Sequence, residues 1–249
     1  MINEMSPFDK LRINFLDFLF PKRCVQCGKV GSFLCSNCFS YLSFDTPTFC
    51  LICRRPSVDS LIHPGCLRKY SIDGYFSAIP YNKTAQKLIY NFKYKPYLSS
   101  LAEFLGDILY ESLIQNEVFQ RVLKNQEIKK WILVPTPLHS SKLRTRGYNQ
   151  SEILAKELGK RFNFTILNLL NRVKDTKTQV GLKVKERRKN VKDAFKFNYE
   201  LIAHNLELKD TGVFLLDDVV TTGSTLLEAA KVLKRRGFSK VFGITLARD

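Results

Sequence analysis

All seven cysteines of this 249-residue chain fall between positions 24 and 66, and nearly all of them come in pairs. Cys24-x2-Cys27 is followed by Cys35-x2-Cys38, then by Cys50-x2-Cys53 and His63-x2-Cys66. A two-residue spacer lets two soft donors point at one tetrahedral ion, and a second such pair closes the site. The spacing therefore predicts two zinc sites of four ligands each, with His63 completing the second set. It is compatible with both sequential and cross-braced pairing. Sites with no open position are structural rather than catalytic. Gly28, directly after Cys27, suits the tight turn of such a knuckle. A disulfide framework belongs to secreted chains. The start MINEMSPFDKLRINFLDFLFPKRC is broken by acids and followed by no small-residue cleavage site, unlike a signal peptide. A redox CxxC would not explain repetition of the spacing.

The formal net charge is +17, with 40 basic and 23 acidic residues. Residues 1–74 hold nine basic and six acidic residues, so the excess lies beyond them; Asn171–Lys196 alone holds ten basic and three acidic residues. Such density suits a polyanionic partner (nucleic acid, phosphorylated metabolite or anionic lipid), or else a solvated helix face. No apolar run approaches the roughly 20 residues of a membrane helix. The segment LRINFLDFLFP places Leu11, Phe15, Phe18 and Leu19 at helical spacing, flanked by Lys10, Arg12, Lys22 and Arg23. Packing on its own domain is favoured over lying on a membrane surface. The expectation is a cytoplasmic protein, at most peripheral at the inner face of the membrane.

From about Tyr75 the pattern changes. YFSAIPY, WILVPTP, FTILNLL, VFLLDD and KVFGITLA read as strands. TAQKLIYNFKY, LSSLAEFLGDILYESLIQ, NQSEILAKELGKRF and STLLEAAKVLKRRG read as helices, with Gly237 past the end of the last. Apolar strands alternating with helices predict an α/β fold with a parallel, doubly wound sheet. Two domains follow, 1–73 and 74–249, joined at the Asp73-Gly74 turn.

The stretch VFLLDDVVTTGST, residues 213–225, is the strand–loop–helix of one such unit. It sits at the carboxyl end of a parallel strand, where open α/β sheets bind ligands. Thr221, Thr222, Gly223, Ser224 and Thr225 bring hydroxyls and backbone N–H groups to a helix N-terminus, an anion site. The GK[ST] ending of a Walker A loop is missing. Asp217 and Asp218 would repel a bare phosphate, but they suit the two hydroxyls of a sugar. Acids followed by a phosphate cradle describe a phosphorylated ribose.

These thirteen residues resemble the phosphoribosyl-diphosphate (PRPP) motif of type I phosphoribosyltransferases. The resemblance extends over nearly the whole chain to the ComF family, which joins a zinc-ribbon module to such a domain and is linked to DNA uptake in natural competence. It is carried also by VPTPLHSSKLRTRGYNQSEILA, with Arg144, Arg146, Gly147, Asn149 and Gln150, and by Arg172, Thr178, Gln179, Leu182, Arg187, Asn190 and Ala194-Phe195. His63 departs from it, since relatives commonly have cysteine there. The resemblance implies a type I phosphoribosyltransferase-like parallel sheet with helices on both faces, plus a small N-terminal zinc-ribbon domain. It implies PRPP with Mg²⁺ as ligand. Thr136 and Pro137 would meet the diphosphate, Arg144 and Arg146 would hold its charge, Val219 and Val220 would line the substrate site, and Thr221–Thr225 would hold the 5-phosphate. Asp217 and Asp218 would bind the ribose and steady positive charge on its ring.

Residues 171–190 match the mobile part that covers the substrate in such domains. The basic row Lys183, Lys185, Arg187, Arg188 and Lys189 is equally a candidate contact for single-stranded DNA. Phe195, Phe197 and Tyr199 alternate after it, more as a core strand face than as a stacking platform. Two functions remain open: a PRPP-binding DNA-uptake protein that contacts single-stranded DNA and competence-machinery proteins, or a phosphoribosyltransferase acting on a small amine or base. Glutamine-fed amide transfer is disfavoured, because the cysteines are taken up by zinc.

Overall fold

Strand β1 (Gly74–Pro80) opens a sheet whose strands are nearly continuous apolar runs, because both faces are covered. The computed structural model describes residues 21–44, 48–94, 98–176, 184–199 and 208–249. The apolar segment before Cys24 and Lys183 lie outside them. After β1 come α1 (Lys83–Tyr94), α2 (Leu98–Ile114) and α3 (Glu117–Leu123). Next are β2 (Lys130–Pro135), α4 (Ser140–Arg146), α5 (Gln150–Phe162) and β3 (Thr165–Ile166). A hairpin of β4 (Leu170–Arg172) and β5 (Phe195–Phe197) brackets α6 (Val184–Val191). The chain closes with β6 (Thr211–Val220), α7 (Ser224–Arg236) and β7 (Lys240–Arg248).

The sheet order is β1-β7-β6-β2-β3, and every pair is parallel. Strand alternation assigns the two faces. Phe76, Leu133, Phe214, Phe242 and Ile244 pack with Leu105 and Leu109 of α2 and Leu154 and Leu158 of α5. Tyr75, Ile132, Val213, Leu215 and Val241 pack with Leu226, Ala229, Ala230 and Leu233 of α7. Helices thus cover both faces, as the resemblance implied. Helix α5 starts where the Asn149 side chain accepts from Ser151 N–H. Helix α7 ends at Gly237, φ 108°, with Lys234, Arg235 and Arg236 in its last turn.

The predicted strand FTILNLL is divided between β3 and β4, and the second piece leaves the parallel sheet to pair antiparallel with β5. Phe195 and Phe197 of β5 are buried as a core face, whereas Tyr199 is exposed under the Arg236 guanidinium, 4.3 Å away.

The described residues between 21 and 73 contain a short helical turn (Ser36–Phe39), 3-10 turns at Val58–Ser60 and Pro64–Cys66, and isolated bridges such as Arg23–Val30 and Phe49–Pro56. Their few apolar side chains divide between the two faces of the sheet domain. Cys24, Leu34, Cys38 and Leu42 join the α2/α5 core, while Cys50, Leu51, Ile62 and Ile72 join the α7 core. Asp73 ties the junction down: its N–H donates to the Val241 carbonyl, and its carboxylate takes the Val241 N–H at 2.7 Å and Lys234 at 2.6 Å.

Candidate functional site

The sulfurs of Cys24, Cys27, Cys35 and Cys38 lie within 4.8 Å of one another, and so do those of Cys50, Cys53 and Cys66 with a ring nitrogen of His63. The pairing is sequential. Each site begins with the same turn: Gly28 N–H donates to the Cys24 carbonyl and Arg54 N–H to the Cys50 carbonyl, both at 2.8 Å. Both turns need a left-handed residue, and Gly28 (φ 80°) and Arg54 (φ 65°) supply it. His63 Nδ1 is 3.3 Å from Cys53 Sγ, while Nε2 lies 2.9 Å from the Pro56 carbonyl. A proton on Nε2 donated to that carbonyl leaves Nδ1 free as a ligand and fixes the ring. The Arg55 backbone N–H, then its side chain, holds the Cys53 thiol down at about 6. Burial raises Cys24, but backbone N–H groups of Cys35, Cys27 and Gln26 outweigh it and bring that thiol to about 6. Four soft donors within reach of one ion, at each of two sites, fit structural zinc.

At the carboxyl ends of β2 and β6 opens a cavity of about 620 Å³. Asp217 and Asp218 form part of its wall, with Thr136, Pro137, Val219, Thr221 and Thr225. Among the described residues five cations line it: Lys93, Lys142, Arg146, Arg172 and Arg187. The two acids are not equivalent. Asp218 pairs with Lys93 of α1, whose ammonium is kept charged against its burial by that carboxylate. Asp217 is partly buried; its carboxylate accepts from Asp218 N–H at 3.0 Å and faces the Ser151 hydroxyl at 3.4 Å. Burial, then the charge of Asp218, pushes it up to about 6.

The cations are frustrated in a complementary way. Burial lowers the pKa of both Lys142 and Arg172, and the charge of Arg172 lowers Lys142 further. Arg172 Nε and Gln150 Nε2 are buried donors without a partner, and both residues line the cavity. An anion entering here would regain for these groups the solvation and hydrogen bonds they lack.

The loop after β6 is held from the second zinc knuckle. Arg54 donates to the Thr221 carbonyl at 3.1 Å. Gly223 (φ 70°) lies so close to Leu51 that an added Cβ would be 2.6 Å from its Cδ2. Arg188 donates to the Ile52 carbonyl at 2.8 Å, while its neighbour Arg187 reaches the Thr221 hydroxyl from α6. Arg54 and Arg248 flank the ring of Phe49 at 5.0 and 4.7 Å.

Of the residues marked in the sequence, Asp217, Asp218, Thr136, Pro137, Arg146, Val219, Thr221 and Thr225 meet around one cavity. The other expected PRPP contacts do not line it. Thr222 and Ser224 are buried and share a 2.7 Å hydroxyl contact, Val220 packs into the α7 core, and Gly223 caps α7. Arg144 is exposed on α4. In the basic row Arg187 faces the cavity and Arg188 the knuckle, while Lys189 is exposed. Lys185 begins the first turn of α6, but its side chain lies outside the described residues. Lys93, Lys142 and Arg172 were not assigned to the site from sequence. Lys142 had a signal: it stands four residues before Arg146, on the same side of a helix, whereas Arg144 stands on another.

Residues 15–67 match the double zinc ribbon domain, and residues 143–249 match the phosphoribosyl transferase domain. The chain is 40% identical over 117 residues to competence protein F of Haemophilus influenzae, covering 47% of this chain and 49% of that one. It is 33% identical over 110 residues to DNA utilization protein YhgH of Escherichia coli, covering 44% and 45%. Against competence protein ComFC of Bacillus subtilis it is 25% identical over 224 residues, 87% and 84% of the two chains. It thus spans about half the length of the first two relatives and most of the third. The chain joins a double zinc ribbon domain to a parallel-sheet phosphoribosyltransferase domain, and it is similar to competence proteins F and ComFC.

Proposed function

We propose that the cavity binds PRPP with Mg²⁺ and that the protein serves DNA uptake in natural transformation, binding single-stranded DNA in the cytoplasm. The observation that carries the ligand is the juxtaposition of the acid pair with five cations and two unpartnered buried donors. Asp217 and Asp218 accept from the ribose hydroxyls, the diphosphate reaches Lys142, Arg146, Arg172 and Arg187, and the 5-phosphate lies at the start of α7 against Thr221 and Thr225. Guanidinium groups suit bidentate phosphate contacts. Mg²⁺ arriving with PRPP would be held beside Asp217 and Asp218 and would neutralise part of the diphosphate charge. If transfer occurs, the C1–O bond breaks as diphosphate leaves; the cations stabilise that leaving group and the acid pair steadies positive charge on the ring. The names of the relatives support the DNA-uptake role.

Transfer to a small amine or base is the competing reading, favoured by the complete acid pair. PRPP with Mg²⁺ is expected to raise the melting temperature of the parent protein and not that of Asp217→Ala/Asp218→Ala, with zinc content unchanged. An equal shift in the double variant refutes the assignment. Diphosphate release on adding candidate acceptors, measured alongside, separates binding from transfer.

A further inference from the structure

Helix α1 buries Thr84, Ala85, Leu88, Ile89 and Phe92, and its other side carries a feature that the fold does not require. Tyr90 and Tyr94 are 60% and 62% exposed, with ring centroids 5.0 Å apart. Along the same stripe, at helical spacing, stand Lys83, Gln86 and Lys87, all exposed. The helix contains no acidic residue. This stripe walls a second hollow of about 660 Å³, which shares Tyr81, Gln86, Lys93 and Tyr94 with the acid-pair cavity. Arg146 of the cavity sits over the Tyr94 ring, 5.3 Å from its centroid.

Exposed rings with π-faces available, lysines on either side and no competing carboxylate match the chemistry of an unpaired nucleic-acid strand. Bases stack on aromatic faces irrespective of sequence, and phosphates follow the positive charge. We propose that the α1 stripe is the single-stranded DNA platform of this protein, with bases stacking on Tyr90 and Tyr94 and phosphates passing Lys83 and Lys87. It rests on the reading of DNA as a partner, and it moves the contact away from α6, where Arg187 and Arg188 are engaged elsewhere. Because the hollow adjoins the acid-pair cavity, a strand on the stripe ends beside any phosphoribosyl ligand.

The test is fluorescence anisotropy with a labelled oligo-dT strand at fixed low salt. Tyr90 lies outside the acid-pair cavity, so Tyr90→Ala is expected to keep the zinc content, the melting temperature and the PRPP-induced shift. Its affinity for oligo-dT is expected to fall about 5- to 150-fold, the loss of one base–aromatic stack. Tyr90→Phe keeps the ring and is expected to bind within twofold of the parent; loss of binding there overturns stacking as the mode. If the parent binds and Tyr90→Ala binds within twofold of it, the platform is elsewhere and only this inference falls. If the parent protein does not bind oligo-dT at all, the DNA reading falls with it.

Discussion

The contact between Gly223 and Leu51 makes one prediction that can be worked through in numbers. Gly223 holds φ 70°, and any Cβ there would lie 2.6 Å from Leu51 Cδ2, well inside contact distance. Gly223→Ala therefore carries about 1–2 kcal/mol of left-handed backbone strain and about 1–3 kcal/mol of overpacking. Leu51 is fully buried, so Leu51→Ala removes a packed side chain at about 2–5 kcal/mol. The two costs are not independent. Without the Leu51 γ and δ carbons the two closest contacts vanish, leaving Cβ at 3.3 Å, and the strain becomes the main remaining cost. The double variant is expected to be more stable than the sum of the single effects by about 1–3 kcal/mol. Urea unfolding with unchanged slopes measures this, and zinc content measured on each variant confirms that the knuckle is intact. Additivity within about 0.5 kcal/mol would refute the conclusion that the second zinc knuckle braces the loop after β6.

Metal analysis is expected to find about two zinc ions per chain, and about one in His63→Ala. Because the second knuckle braces Thr221 and Gly223, His63→Ala is also expected to weaken the PRPP-induced thermal shift; Cys27→Ala, in the site on the α2/α5 face, is expected to lose metal without that effect. The carboxyl of Asp217 titrates near 6 in the fold, against 3.8 for the free group. The native state then holds more protons than the unfolded one between those values, so stability falls as pH rises through about 4 to 6 and the full penalty stands above 6. Asp217→Asn is expected to be more stable than the parent at pH 7.5, by on the order of 2–3 kcal/mol, with the gain vanishing near pH 4 and PRPP binding impaired. An advantage independent of pH would refute the assignment.

Much of this protein is written in short-range patterns. A zinc knuckle is a local turn, so the two-residue spacing picked out the eight donors that cluster in the fold, His63 among them. Strand and helix periods indicated a parallel sheet, and the thirteen residues from Val213 to Thr225 placed an acid pair before a helix start because strand, loop and helix are consecutive there. Spacing did not decide between sequential and cross-braced pairing; the folded positions of the eight donors did. Nor did the sequence separate Lys142 from Arg144, since only the register of α4 says which basic residue turns toward the cavity. A run of basic residues reads alike whether it faces solvent or a ligand, and tertiary packing sent Arg187 to Thr221 and Arg188 to the knuckle. Lys93 meets Asp218 across a separation that no local pattern encodes. The physical reason is the same in each case. Local geometry is set by neighbours in the chain, whereas the role of a charge is set by whichever groups the fold brings within hydrogen-bonding distance and removes from water.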